Sequence, residues 1–131
     1  MPYDTVSLAR FPTENVKIPL EYSKKKNDKN RVSKILEELG IAKLQKTRIS
    51  LLSGGEQQRT AIARALVNDP EIILADEPTG NLDSKTEEEV LTLLKLTAKK
   101  YNQTIVMITH DEGIAQMADR IICIEDGKVV E

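Results

Sequence analysis

Two carboxylates and one histidine follow apolar runs in this chain, where they could act together on a phosphate ester. Asp76 and Glu77 follow the run 72–75, and His110 comes shortly after the run 105–108. An aspartate at the end of a strand suits Mg²⁺, which prefers hard oxygen ligands and keeps several waters. The adjacent glutamate could polarise an attacking water, and the histidine could hold a phosphate oxygen. The alternative is that the acidic pair only caps the turn after the strand.

A second group of residues could bind an anion at the start of a helix. Ser53 and Glu56 have the spacing of a capping box, which predicts that a helix begins here. The first turn of a helix presents unpaired N–H groups and the positive end of the helix dipole. Gly54 and Gly55 would let a phosphate approach the backbone closely. The alternative is a plain capping box beside a flexible turn.

The apolar pattern predicts the strands that position these groups. The runs 72–75, 104–108 and 120–125 are typical of strands, and the first should be buried on both faces. Asp126 and Gly127 predict a tight hairpin turn into residues 128–130. Helices alternate with the first three strands, which indicates an α/β fold with a parallel sheet. Ligands bind such sheets at the carboxyl ends of the strands, where Asp76, Glu77 and His110 should converge.

The helices are predicted from apolar residues at helical spacing. One helix should end at Gly40, and a second should run from Ser53 to about Asn68, because Pro70 disfavours helical geometry at the residue before it. Ser84 and Glu87 form a second apparent capping box, which opens a helix with Val90, Leu91, Leu94 and Ala98 on its apolar face. Residues 1–14 contain two prolines and no clear period, which favours a loop or a disordered segment.

Composition narrows the class of protein. The 131 residues suffice for one domain, and a net charge of −2 gives no support to a nucleic-acid binder. No apolar run reaches the length of a membrane span, and the N-terminus has no apolar signal segment, so we expect a cytoplasmic protein. The single cysteine, Cys123, lies in an apolar run and should be a buried, inert thiol.

The order of the motifs resembles that of ATP-binding cassette (ABC) ATPases. The segments 51–59, 72–77, 81–83 and 109–111 are similar to the signature motif, the Walker B strand, the D-loop and the switch histidine. The resemblance runs from about Glu14 to Glu131 and leaves residues 1–14 unmatched. It implies a helical signature region over about 28–68 and catalytic-core strands and helices over about 70–131. The segment 79–84 is most similar to ATPases of macrolide exporters and lipoprotein release.

The resemblance also implies roles, with ATP and Mg²⁺ as cofactors. Asp76 would act on Mg²⁺ through water, Glu77 would orient the attacking water, and His110 would touch the γ-phosphate. The signature residues would contact ATP held by a second ATP-binding subunit, and the D-loop aspartate would cross the dimer interface; these are Ser53, Gly54, Gly55, Glu56 and Asp83. A transmembrane permease would be the other partner and would hold the chain at the inner face of the membrane.

The phosphate-binding loop of such ATPases is not found in these residues. No Gly-x-x-x-x-Gly-Lys-Ser/Thr occurs in the sequence. We therefore expect a partial P-loop NTPase sheet without the N-terminal phosphate-loop strand and β-subdomain, in a truncated chain that does not hydrolyse ATP alone. The missing strand would lie between the strands 104–108 and 120–125.

Two other classes of function compete with a truncated transporter ATPase. The chain could be a non-catalytic remnant, or an interaction module that complements a separate N-terminal half. A chromosome-maintenance ATPase also carries a signature and a Walker B strand, but a long heptad coiled coil precedes its signature. Here only one short helix is predicted before Ser53, which disfavours that class.

Overall fold

A computed structural model of the chain describes residues 10–22 and 29–130. A layer of helices packs on one face of a parallel strand pair, and a separate hairpin follows. The elements in chain order are α1 (Pro12–Tyr22), α2 (Lys29–Glu38), α3 (Gly54–Leu66), β1 (Ile72–Asp76), α4 (Ser84–Lys100), β2 (Thr104–Ile108), α5 (Glu112–Ala115), β3 (Cys123–Glu125) and β4 (Lys128–Val130). Two short 3₁₀ turns, Ala42–Leu44 and Ile49–Leu51, connect α2 to α3.

Helix α1 begins inside the segment that we expected to be a loop. Residues 1–9 of that segment lie outside the described residues, but the chain is helical from Pro12. A proline in the first turn of a helix removes no hydrogen bond, because that N–H has no acceptor within the helix. The backbone N–H of Arg10 also donates to Glu14 Oε2 at 3.2 Å, which ties the start of the helix to the preceding residues. The loop expectation is therefore wrong from Pro12 onward.

Helix α2 ends at Glu38, and Gly40 stops it as the sequence predicts. Gly40 has a φ of +70°, the left-handed conformation that glycine adopts without strain. Its N–H donates to Glu37 O at 3.0 Å, and the N–H of Ile41 donates to Leu36 O at 2.9 Å. These two bonds form a Schellman motif, which satisfies the last carbonyls of the helix.

The core lies among α1 to α4 and beneath one face of the strand pair. The apolar residues at helical spacing in α2 and α4 are all buried, as expected. Ile73 of β1 is only 6% exposed and joins this core, with Ile105 and Met107 of β2 packed partly against it. The cluster is continuous from helix to strand; its members with no exposed surface include Val16, Leu36, Leu39, Ile41, Val67 and Val90.

The other face of the strand pair is open in the described residues. β1 and β2 pair in parallel from Ile72 opposite Thr104 to Asp76 opposite Ile108. Ile72 is 59% exposed and Leu74 is 78% exposed, and Val106 and Ile108 are also exposed. The expectation that this strand is buried on both faces is therefore wrong, because the helices pack on one face only.

The C-terminal hairpin forms its own sheet. β3 pairs with β4 in antiparallel register, and Asp126 and Gly127 both have positive φ, so the predicted tight turn is confirmed. In the described residues no ladder joins β3 to β2, and they belong to different sheets. Cys123 lies on this hairpin and is exposed, which contradicts the expected buried thiol. No described helix is long and apolar enough to cross a membrane.

A polar cluster ties the end of α2 to the end of α4. The hydroxyl of Tyr101 and the Nζ of Lys100, the latter at 2.8 Å, both donate to the carboxylate of Glu38. Burial, and then the hydrogen bond to Glu38 and its charge, raises the pKa of Tyr101 to about 12. Burial alone would raise the pKa of Glu38, but the bonds from Lys100 and Tyr101 outweigh it and leave that pKa below its usual value. The cluster therefore stabilises the fold at pH values between the pKa of Glu38 and the pKa of Tyr101.

We expect Tyr101→Phe to lower the free energy of unfolding by about 1.5 kcal/mol at neutral pH, because a hydrogen bond to a charged acceptor is lost. The stabilisation from Glu38 is complete above its ordinary pKa of 4.5 and is lost as pH falls through the lowered value. That from Tyr101 is complete below 10.0 and is lost as pH rises toward 12. Urea unfolding at several pH values measures both effects.

The matched control is Tyr22→Phe, because Tyr22 is 86% exposed. It removes the same hydroxyl and should leave the free energy of unfolding unchanged. Equal losses from the two substitutions would contradict a stabilising role for the cluster.

Candidate functional site

The carboxyl ends of β1 and β2 bring a carboxylate and the single histidine together. The N–H of Glu77 donates to Ile108 O at 2.9 Å, which extends the strand pairing by one bond beyond Asp76. His110 follows two residues later, and its Nε2 lies 3.4 Å from Glu77 Oε1. The side chain of His110 is 93% exposed and that of Glu77 is 40% exposed, so a ligand in solution can reach both. The expected convergence is confirmed for this pair.

Glu77 has an unusual backbone conformation. Its φ is 47°, in the left-handed region that residues other than glycine rarely adopt. The bond to Ile108 O holds its N–H, and its carbonyl accepts from the N–H of Gly80 at 3.2 Å. Such strain costs roughly 1–3 kcal/mol and concentrates at functional sites. The backbone around the proposed catalytic carboxylate is therefore fixed by hydrogen bonds on both sides.

The carboxylate of Asp76 could supply one protein ligand to a Mg²⁺ ion whose other ligands are water and phosphate. Asp76 lies at the same edge of the sheet, opposite Ile108. Within residues 10–22 and 29–130, no group of three or more His, Cys, Asp or Glu could hold a metal by itself. Mg²⁺ commonly takes one or two carboxylates and completes its shell with water and substrate phosphates. The donor set at this edge therefore suits Mg²⁺ in company with a nucleotide.

The signature segment forms the predicted capping box. Ser53 Oγ accepts from the N–H of Glu56 at 3.2 Å, and Glu56 Oε1 accepts from the N–H of Ser53 at 2.9 Å. The N–H groups of Gly54 and Gly55, in the first turn of α3, have no acceptor within the helix. The cap uses Ser53 Oγ as an acceptor, so its O–H can still donate. Three donors therefore stand at one helix N-terminus, where an anion is favoured.

The two glycines have a second purpose, which is to let α3 pack on the start of α4. A Cβ at Gly55 would lie 2.5 Å from Thr86 Cγ2, a distance that real contacts do not reach. A Cβ at Gly54 would lie 3.0 Å from Leu82 Cδ2. Close approach of a phosphate remains a prediction for these glycines. Their packing against Leu82 and Thr86 is seen directly.

Asp83, not Ser84, caps α4. The N–H and the hydroxyl of Thr86 donate to the two carboxylate oxygens of Asp83, at 2.9 and 3.0 Å. These hydrogen bonds lower the pKa of the Asp83 carboxyl. The capping box expected from Ser84 and Glu87 is wrong, because Asp83 has the extended backbone of a cap residue and Ser84 is already helical. Glu87 instead accepts from Thr79 Oγ1 at 3.1 Å.

The contacts of three residues in this region were not predicted from the sequence. Thr79 is only 2% exposed and holds Glu87, and Leu82 and Thr86 receive the signature glycines. The spacing Asp83-x-x-Thr86 is a usable signal, because an aspartate often caps the N–H three residues later. Contacts between distant segments, such as Gly55 with Thr86, leave no local pattern in the sequence.

The candidate residues form two groups rather than one. Glu77 and His110, with Asp76 at the same edge, make the first group, and Ser53 to Glu56 with Asp83 make the second. In the part of the chain that the structure describes, no hydrogen bond or ion pair joins a candidate side chain of one group to one of the other. The turn 78–82 connects them instead.

The identity of the α4 cap can be tested by substitution. We expect Asp83→Ala to lower the thermal unfolding temperature, because the N–H of Thr86 loses its acceptor. Ser84→Ala should have little effect, since its side chain caps nothing. The lowered pKa of Asp83 means that the cap stabilises fully above 3.8 and is lost as pH falls through the folded value. Thermal melts at neutral and acidic pH measure both; a larger loss from Ser84→Ala would restore the rejected capping box.

Comparison with known proteins points to the same family as the order of the motifs does. A family model for ABC transporters matches residues 4–80, starting before Glu14 where the motif resemblance begins. The chain is 52% identical over 119 residues to the macrolide export ATP-binding/permease protein MacB of Pasteurella multocida. It is 46% identical over 119 residues to YvrO of Bacillus subtilis, an uncharacterized ABC transporter ATP-binding protein. These alignments cover 89% of this chain in both cases.

Solved structures agree in fold. The dimeric structure of the ABC transporter cassette MJ0796, from Methanocaldococcus jannaschii, superposes with a TM-score of 0.77 at 40% identity. The superposition covers 92% of this chain and 55% of the cassette. A second structure of MJ0796, in a post-hydrolysis state, holds ADP and Pi. The chain thus spans about half the length of the cassettes and 18% of MacB, and its α/β fold matches part of a cassette.

Proposed function

The chain belongs to the ABC transporter family, and we propose that its 131 residues form the signature-bearing part of a cassette that hydrolyses ATP to drive transport. The observation that supports this most is that one chain carries both the Glu77–His110 pair at the strand ends and the capped N-terminus of α3 with its free donors. In a dimer of such chains, each of the two nucleotides would be contacted by the Glu77–His110 group of one chain and by the signature group of the other.

At one nucleotide, the edge of the sheet would supply the groups for hydrolysis. Mg²⁺ would neutralise charge on the phosphates, and Asp76 would hold it through water. The Glu77 carboxylate would accept a hydrogen bond from the attacking water and so orient it toward the γ-phosphate. His110, whose Nε2 lies 3.4 Å from Glu77 Oε1, would donate to a γ-phosphate oxygen. The fixed backbone of Glu77 favours such a positioning role, since phosphoryl transfer depends mainly on positioning and electrostatics.

At the other nucleotide, the signature helix would bind from the opposite side. The O–H of Ser53 and the N–H groups of Gly54 and Gly55 would donate to the γ-phosphate of ATP held by the second subunit. Glu56 maintains the cap that orients these donors, because its carboxylate accepts from the N–H of Ser53. Asp83, at the start of α4, would lie at the dimer interface. Preorganised donors of this kind need no rearrangement when charge develops in the transition state.

The partner in the membrane would be a permease at the cytoplasmic face. The 52% identity to MacB, named as a macrolide export ATP-binding/permease protein, supports an exporter-type system. In this proposal the permease selects the transported substrate. We also propose that the 131 residues do not hydrolyse ATP alone, because they contain no phosphate-binding loop to anchor the nucleotide.

The role of the signature in trans can be tested with a mixed assembly. The partner is an intact ABC cassette in which the serine of its own signature motif is replaced by arginine, so that it binds ATP but lacks a working signature. Addition of this chain should produce ATP turnover, and Ser53→Arg should reduce that turnover by about 100-fold or more, because it removes a donor and blocks the phosphate. Steady-state ATPase assays measure the rates.

The matched control is Ser33→Arg, which adds the same charge at an exposed position of α2. It should leave joint turnover unchanged, and the chain alone should give none. Turnover that persists with Ser53→Arg would reject the proposed trans contact. Turnover by the chain alone that disappears in Glu77→Gln would reject the proposal that it is inactive by itself.

A second candidate function follows from the open face of the strand pair. Exposed apolar patches of this kind mark interaction surfaces, and here Ile72, Leu74, Val106 and Ile108 form one on β1 and β2. The chain would then act as an interaction module for the part of a cassette that these residues do not contain, whether that part is on the same polypeptide or on another. The two functions are compatible, because a completed cassette would use both.

This docking can be tested with a polypeptide that carries the phosphate-loop half of an intact ABC cassette. We expect Leu74→Glu to weaken its binding at least about tenfold, because an unpaired charge would be buried in the interface. Leu96→Glu is the matched control, since Leu96 is also exposed but lies on α4, away from this face. Titration calorimetry measures the affinities. Equal binding by the two variants would remove this face as the docking site.

A further inference from the structure

The first turns of α3 and α4 are in contact at Thr86. Thr86 lies in the first turn of α4, three residues after its cap Asp83. Its Cγ2 methyl occupies the space in which Gly55 has no side chain, and Gly55 itself is buried. Its hydroxyl donates to Asp83 Oδ2 at 3.0 Å, and its N–H donates to Asp83 Oδ1 at 2.9 Å. Thr86 therefore touches the signature helix with one branch and the D-loop carboxylate with the other.

The geometry of threonine makes these two contacts dependent on each other. The Cγ2 and Oγ1 atoms are both bonded to Cβ, so a rotation about χ1 moves them together. A β-branched side chain in a helix also has few permitted χ1 positions. A shift of the Gly55 backbone toward α4 would press on the methyl, and the side chain could yield only by moving its hydroxyl away from Asp83.

We propose that Thr86 is a positioning residue that couples the signature helix to the Asp83 carboxylate. Displacement of α3 at Gly55 changes the hydrogen bond from Thr86 to Asp83. Loss of that hydrogen bond in turn changes the packing of the Thr86 methyl against Gly55. This inference rests on the proposed function for its meaning, because that function assigns Ser53 to Gly55 to a nucleotide and Asp83 to the dimer interface. A nucleotide that contacts the signature would then alter, through Thr86, the position of Asp83 at the dimer interface.

The simplest alternative is that Thr86 fills space and caps α4 as two independent contacts. Under that alternative, a change at Gly55 would alter stability but not the environment of the Asp83 carboxylate. The titration of Asp83 therefore distinguishes the two, since its pKa is held down by the bonds from Thr86. Coupling between two sites is also reciprocal, so a change at Thr86 should be detectable at Gly55.

The experiment follows the Asp83 carboxyl by carbon NMR in the 131-residue chain, without nucleotide. Gly55→Ala should raise the titration midpoint of Asp83 toward its ordinary value, because the new Cβ displaces the Thr86 methyl. Thr86→Ser keeps the hydroxyl and removes the methyl, so the double variant Gly55→Ala with Thr86→Ser should return the midpoint to the wild-type value. Thr86→Val keeps the branched shape and loses the hydroxyl, so it should raise the midpoint with Gly55 intact.

Gly54→Ala is the matched control. It adds the same methyl group one residue earlier, where it meets the flexible end of Leu82 and not Thr86. Its Asp83 midpoint should equal that of the wild type. Equal shifts from Gly54→Ala and Gly55→Ala, or no rescue in the double variant, would overturn the proposal.

A second measurement keeps the proposal testable if Gly55→Ala does not fold. In Thr86→Val, the amide signals of Gly54 to Glu56 should shift relative to wild type, because the methyl is no longer held by the bond to Asp83. Unchanged signals there would overturn the coupling. Neither measurement uses ATP, so this inference can fail while the mixed-assembly assay succeeds, and the reverse is equally possible.

Discussion

The parallel register of β1 and β2 is the constraint on which the first candidate group depends. Asp76 lies opposite Ile108, so the two strands end level with one another and the chain leaves both at the same edge. The bond from Glu77 N–H to Ile108 O adds one further step and fixes Glu77 with a positive φ. A slip of one residue would turn every side chain of a strand to the other face. Ile73 would then leave the core, and Glu77 would no longer meet His110.

The sequence was sufficient where local chemistry decides the structure. The capping box of Ser53 and Glu56, the stop at Gly40, the apolar face of α4 and the hairpin turn at Asp126 are all found as predicted. Each depends on residues within a few positions of one another. The order of the motifs also led to the correct family, through their resemblance to those of ABC ATPases.

The sequence was insufficient where neighbours distant in the chain decide. An apolar run such as 72–75 shows that a strand can be buried, but not how many layers cover it, and here one face stays open. The same holds for Cys123, which lies in an apolar run and is exposed. At the start of α4, two overlapping patterns competed, and the sequence could not show that Glu87 is occupied by Thr79. The packing of Thr86 on Gly55 joins residues 31 positions apart and has no local signature.

The meeting of α3 and α4 poses an electrostatic problem that their first residues solve. The N-terminus of each helix carries about half a positive charge, so two such ends repel at close range. Each end carries its own carboxylate: Asp83 caps α4, and Glu56 lies in the first turn of α3. Glu56 accepts from the N–H of Ser53, and so it leaves the N–H groups of Gly54 and Gly55 without an acceptor. The carboxylate of Glu56 therefore offsets the positive end of α3 and does not occupy the donors proposed to bind phosphate.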